Sequence, residues 1–293
     1  MLRLASFLLL TGCALQAQIT GPSTLVFDEA TRSLRFVLGV PGASHFGPAL
    51  AEGLTAMAVS PDGSRALGSH DGQVASYQMV DGTLAERLLM AGEASSVAWD
   101  AGSRYAAFLA GSKLFRYDAG SGDLLELGDA AGRLAVDRAG VVFAASAGAV
   151  TRYTGSEALR LAGVGSPVDL ALSADGAALY VADTASRSVL RIDARQGGAQ
   201  SFSAVAADPV ALALSKDGAS LLVADGEGHK VYVLSVDTQE LRLTLDLAFA
   251  PSRLTPLSDS LFALTRREAG APLEVLALRD SAAAYFIPAV EGN

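Results

Sequence analysis

Val168-Asp169-Leu170-Ala171-Leu172-Ser173-Ala174-Asp175-Gly176, followed by Leu179-Tyr180-Val181-Ala182-Asp183, returns 42 residues later as Val210-Ala211-Leu212-Ala213-Leu214-Ser215-Lys216-Asp217-Gly218 and Leu221-Leu222-Val223-Ala224-Asp225. Apolar residues run through both copies without a helical period, and an Asp-Gly pair separates two short runs, so each copy reads as a β-hairpin. Asp-Gly suits the turn because glycine takes a positive φ without steric penalty.

Working outward, Met57-Ala58-Val59-Ser60-Pro61-Asp62-Gly63 is a third copy and Val97-Ala98-Trp99-Asp100-Ala101-Gly102-Ser103-Arg104 a degenerate one, with weaker units near Leu134 and Ser252. A period of about 40 residues is that of a four-stranded propeller blade. In the best copy the four strands are residues 210–214, 221–224, 231–234 and 241–245. The inner runs alternate Leu or Val with Ala, so both faces are apolar and one is small, as expected of a sheet buried between two neighbours near a crowded axis.

The fold expected is therefore all-β: a β-propeller of four-stranded antiparallel blades, seven favoured over six. Six blades start near residues 54, 94, 131, 167, 208 and 251, and a hairpin of residues 25–28 and 34–38 precedes them. That hairpin either supplies outer strands of a seventh, incomplete blade or stitches onto the last blade and closes the ring. Residues 39–53, with Pro41, His45 and Pro48, read as an irregular connection over one face, a place where loops often carry binding.

The N-terminus carries a different signal. Met1-Leu2-Arg3 is a short positive region, residues 4–10 are apolar, and small residues follow, which is the pattern of a secretory signal peptide and too short for a membrane-spanning helix. Leu10-Thr11-Gly12-Cys13 is also similar to a bacterial lipobox, with Cys13 the candidate for lipidation; ordinary cleavage near Ala14 or Ala17 is the other reading. The organisation expected is a signal peptide over 1–17, a linker over 18–23, the propeller over 24–290 and a tail over 291–293. The localisation expected is export, to the periplasm or to a membrane-anchored place in the cell envelope.

A formal charge of −9 on 293 residues, with no basic run longer than Arg266-Arg267, argues against nucleic acid, which needs a cationic track along its phosphates. It argues equally against direct binding to an anionic membrane, leaving a lipid anchor as the expected membrane link. Cys13 is the only cysteine, so the remainder of the chain offers neither an internal disulfide nor a thiolate.

The segments Val181-Ala182-Asp183-Thr184-Ala185-Ser186-Arg187-Ser188-Val189 and Val223-Ala224-Asp225-Gly226-Glu227-Gly228-His229-Lys230-Val231, with the Ser-x-Asp-Gly turns before them, resemble the broad class of NHL and YVTN-type propellers that also contains lactonase-like proteins. The likeness covers roughly residues 54–290 and is clear in three blades. It departs from NHL repeats where they favour Asn after Val-Ala-Asp, since the chain has no Asn before Asn293. Trp99-Asp100 falls at the first turn of its unit, unlike a WD40 motif.

The resemblance implies an axial divalent cation held by carboxylates in a lactonase-like hydrolase, and Asp183 and Asp225 are the carboxylates it would use. Read by themselves, these two residues end the second strands of successive blades and would project toward one rim, with His70 at the same register in the first unit and Asp71 beside it. His70, Asp71, Asp183, Arg187, Asp225 and His229 are the candidate binding-rim residues, with Lys230, Arg266 and Arg267 in adjoining loops, the other role open to the aspartates being to hydrogen-bond loop backbone. His45, His70 and His229 form no pair at metal-ligand spacing, and neither a Gly-x-Ser-x-Gly elbow nor a phosphate-binding Gly-x-x-x-x-Gly-Lys loop occurs. No catalytic residue, metal or cofactor is assigned. The function expected is an exported, non-catalytic scaffold that binds a protein or small ligand on one propeller face, the alternative being the metal-dependent lactonase-like hydrolase.

Overall fold

A computed structural model describes residues 24–39, 43–257, 260–266, 273–278 and 282–288. Every described element is a strand, and the strands form seven antiparallel sheets set around an axis as a seven-bladed β-propeller. Blades 2 to 7 span residues 54–91, 94–129, 133–162, 167–203, 209–246 and 251–287, each with four strands paired in chain order. Their first strands lie innermost and pack against one another from blade 2 round to blade 7.

Blade 1 has three described strands, Thr24–Asp28, Ser33–Leu38 and His45–Ala51. The third corrects the sequence reading, which made residues 39–53 an irregular connection. Pro48 and two register shifts against Ser33–Leu38 hide the alternation that marks a strand, yet His45 pairs with Leu38 and Ala51 with Leu34. The hairpin thus belongs to a blade of its own.

The turn after each first strand has the expected chemistry. Gly63, Gly176 and Gly218 take φ of +69°, +68° and +72°. Before each, an Asp carboxylate accepts the hydroxyl of the preceding Ser, from Ser60 to Asp62, Ser173 to Asp175 and Ser215 to Asp217, all at 2.6 Å. This fixes the hairpin locally, so the strands that follow enter the core in register.

The core lies between blades. Phe143 packs with Leu179 and Val181 at the blade 4–5 interface, and Tyr180 meets Phe202 edge-on at 5.1 Å beside Leu212 and Val223 at the blade 5–6 interface. Phe108 stacks on Phe115 at 5.2 Å near Leu67, between blades 2 and 3. On the inner strands the alternation has a direction. Leu170 and Leu212 pack back toward the preceding blade, while Ala171 and Ala213 face the following one. A larger side chain at the alanine positions would meet a sheet already at packing distance.

Ala213→Leu should therefore destabilise by ~1–3 kcal/mol through overpacking between blades 6 and 7. Thermal unfolding checks this, at roughly 2–4 °C per kcal/mol.

Candidate functional site

Because successive strands run antiparallel, the turns between second and third strands share one rim of the ring with the loops that lead into the first strands. This rim holds the sequence-predicted set. Asp183 and Asp225 end the strands Ala178–Asp183 and Ser220–Asp225 at this rim, and both are buried, at 2% and 1% exposure.

Their carboxylates turn onto the backbone of the incoming loop. Asp183 accepts the N–H of Ser166 at 2.5 Å and of Gly165 at 3.2 Å, and the hydroxyl of Ser186 at 2.9 Å. Asp225 accepts the N–H of Ala207, Asp208 and Gly228 at 3.0, 3.1 and 2.9 Å. Gly228 leaves room for this carboxylate, since a Cβ would lie 2.5 Å from Asp225 Oδ2, whereas the equivalent Ser186 in blade 5 donates its hydroxyl to Asp183. Burial pushes the Asp183 carboxyl up, but the donors from Ser166, Ser186 and Gly165 outweigh it and hold the group below the ordinary carboxylate range. Each aspartate is a clamp between a loop and a turn, with its acceptor capacity directed at protein donors.

The clamped turns carry the other candidates. Arg187 and His229 occupy equivalent places in blades 5 and 6, with left-handed φ of +48° and +51°, and both are exposed. Asp71 adopts φ +49° at the corresponding turn of blade 2. His70 Nε2 lies 3.5 Å from Asp71 Oδ2 and its Nδ1 4.0 Å from Glu86 Oε1, which also accepts the Tyr77 hydroxyl at 3.0 Å. Burial, then the bond and charge of Glu86, raise the Tyr77 phenol well above its usual range. Lys230 pairs with Asp246 at 3.3 Å. The structure thus groups Arg187 with His229 on adjoining blades and places His70 with Asp71 on blade 2. Cys13 and Arg267 lie outside the described residues.

A polar cluster near the axis was missed by sequence reasoning. Arg133, Asp169 and Arg253 hold the same place on the first strands of blades 4, 5 and 7, close to this rim, and Ala211 holds it in blade 6. Each charged side chain reaches the next blade: Arg133 Nε donates to Val168 O at 2.8 Å, Leu212 N–H donates to Asp169 Oδ2 at 2.8 Å, and Arg253 Nη1 pairs with Glu29 Oε1 at 2.5 Å. The last contact joins blade 7 to blade 1. Although Asp169 is only half-buried as a residue, its carboxyl end lies between two inner strands. Burial raises its pKa to about 6 against the lowering effect of the Leu212 and Leu170 N–H groups and of Arg133 and Arg253. The signal was present in the repeat, because Asp169, Ala211 and Arg253 succeed one another at the 42-residue spacing.

Among the described residues no three His, Cys, Asp or Glu side chains converge as metal ligands. No protein-family model matches the sequence, and no curated protein does. Solved structures match in fold. A chain in the crystal structure of a Mitotic Checkpoint Complex superposes with TM-score 0.64 at 16% identity over 82% of this chain and 78% of that one. Virginiamycin B lyase from Staphylococcus aureus gives TM-score 0.62 at 15% identity over 82% and 85%. A functionally unknown protein from Desulfotomaculum acetoxidans DSM 771 gives 0.64 at 12% over 92% and 99%. At these identities the likeness establishes the propeller fold.

Between the ordinary carboxylate pKa of 3.8 and about 6, folded Asp169 holds its proton more tightly than the unfolded chain does. Its contribution to stability is present below that window and falls as pH rises through it. Asp169→Asn, which mimics the protonated acid, should match wild type in melting temperature near the acid end and exceed it progressively toward pH 7. Paired thermal scans across the window check this.

Proposed function

We propose that the protein is a non-catalytic binding scaffold that holds a protein or small ligand on the rim formed by the clamped turns, and that it works after export, in the periplasm or tethered to the cell envelope. The observation that carries the reading is the pair Arg187 and His229. A left-handed backbone costs a non-glycine residue about 1–2 kcal/mol, and glycine would remove that strain. Two neighbouring blades instead place a long polar side chain at this turn position, exposed, on loops fixed from below by Asp183 and Asp225. Polar side chains carried on a fixed backbone on adjacent blades suit recognition, because the loops themselves need no ordering on binding.

The fold itself is neutral between readings, since its neighbours include both a chain of a checkpoint complex and a lyase. Export rests on the N-terminal sequence pattern, and tethering on the lipobox-like Leu10-Thr11-Gly12-Cys13. The lactonase-like alternative draws less support, because the two aspartates it would use already accept backbone and hydroxyl donors.

Arg187→Gly and His229→Gly together should raise the melting temperature by several degrees, at roughly 2–4 °C per kcal/mol of relieved strain. The same variant should lose the partner that wild type captures by crosslinking in an envelope extract. Unchanged capture by the stabilised variant would argue against this rim as the binding face.

A further inference from the structure

The three strands of blade 1 correspond to the second, third and fourth strands of the other blades. Asp28-Glu29-Ala30-Thr31-Arg32-Ser33 repeats Asp183-Thr184-Ala185-Ser186-Arg187-Ser188 in hydrogen bonding as well as in sequence. Thr31 donates to Asp28 at 2.6 Å as Ser186 does to Asp183 at 2.9 Å. Thr31 and Ser33 hydroxyls meet at 2.6 Å as those of Ser186 and Ser188 do at 2.8 Å. Arg32 takes the left-handed φ of +53°. Strand Thr24–Asp28 also packs on the first strand of blade 2, as second strands do elsewhere in the ring. The innermost position of blade 1 is therefore open among the described residues.

Three further observations outline the opening. Hydrophobic clusters join blades 1 to 2 and each later pair through 6 to 7, and none of those clusters joins blade 7 to blade 1 among the described residues. Thr255 of blade 7 is exposed, although its equivalents Ala171 and Ala213 are covered by the next blade at 9% and 2% exposure. Asp28 has no loop above it to clamp among the described residues. It faces Arg35 instead, whose Nε lies 3.8 Å from Asp28 Oδ2 and donates to Ser33 Oγ at 2.7 Å.

We propose that this innermost position is a docking slot for one added β-strand, and that its occupant is residues 13–17 of the same chain. These residues lie outside the described ones, and their sequence and position argue for them. With Asp28 laid on Asp183, Leu15 falls on Leu170 and Gly21 on Gly176, the left-handed glycine of the first turn. A strand there pairs antiparallel with Thr24–Asp28, brings Leu15 opposite Val26, covers Thr255 and completes the fourth strand of the blade. Export processing then bears on the fold: cleavage before Cys13 keeps the strand, whereas cleavage near Ala17 removes it.

The test uses the full 293-residue chain. Hydrogen exchange read by mass spectrometry should show the amides of residues 13–17 slowed on the order of 100-fold or more relative to an unstructured peptide, as for strands in a cooperative core. Leu15→Asp should lower the melting temperature by roughly 4 °C or more, whereas Leu8→Asp, outside the aligned strand, should leave it unchanged. Free-peptide exchange across 13–17, or equal melting temperatures for the two variants, would overturn the proposal. So would protection of the slot-facing strands by residues 289–293 or by a second copy.

Discussion

The geometry of the candidate face depends on one interaction: a buried carboxylate at the end of a second strand, aimed at the backbone N–H groups of the loop entering the blade. Asp183 and Asp225 each gather three donors in this way, at 2.5–3.2 Å. A buried carboxylate left without donors is strongly unfavourable, and hydrogen bonds to a charged group are the stronger ones, so the loop is fixed wherever the carboxylate is fixed. The turn that follows is fixed with it, down to the left-handed residue at its end. Blade 1 shows the same motif under a different constraint, with Asp28 neutralised inside its own sheet by Arg35.

A second constraint acts at the axis, where inner strands crowd and side chains must be small or directed sideways. Leucines pack backward and alanines forward, and the polar residues at the variable place join neighbouring blades. Arg253 with Glu29 extends this linkage across the closure of the ring. Seven sheets thus meet through apolar interfaces between most blades and through polar clips near the axis.

The repeat made most of this fold legible. The first strands begin at Leu54, Ala94, Arg133, Pro167, Pro209 and Pro251, within two residues of the starts read from the spacing, because Asp-Gly turns and apolar runs are local signals. The strand His45–Ala51 was not legible, since Pro48 and two bulges break its period. At the site, sequence placed Asp183, Arg187, Asp225 and His229 on one rim and left the aspartates open between binding a ligand and accepting hydrogen bonds from loop backbone, of which the structure shows the second. Whether an acid at a strand end faces solvent or a loop depends on donors some 17 residues away, Ser166 and Asp208, which no short-range pattern reveals. The axial trio was hidden because Asp169, Ala211 and Arg253 differ chemically while occupying one structural place.

The central claim is that Asp183 and Asp225 are structural clamps beneath a binding rim. The most direct test is the melting temperature of Asp183→Ala and of wild type, each measured with EDTA and with added Ca²⁺. Losing the acceptor for Gly165 and Ser166 should cost roughly 1–3 kcal/mol, lowering the melting temperature by the same amount with and without the cation. A wild-type melting temperature that rises with Ca²⁺ and a variant that does not respond would contradict the account and make Asp183 a metal ligand.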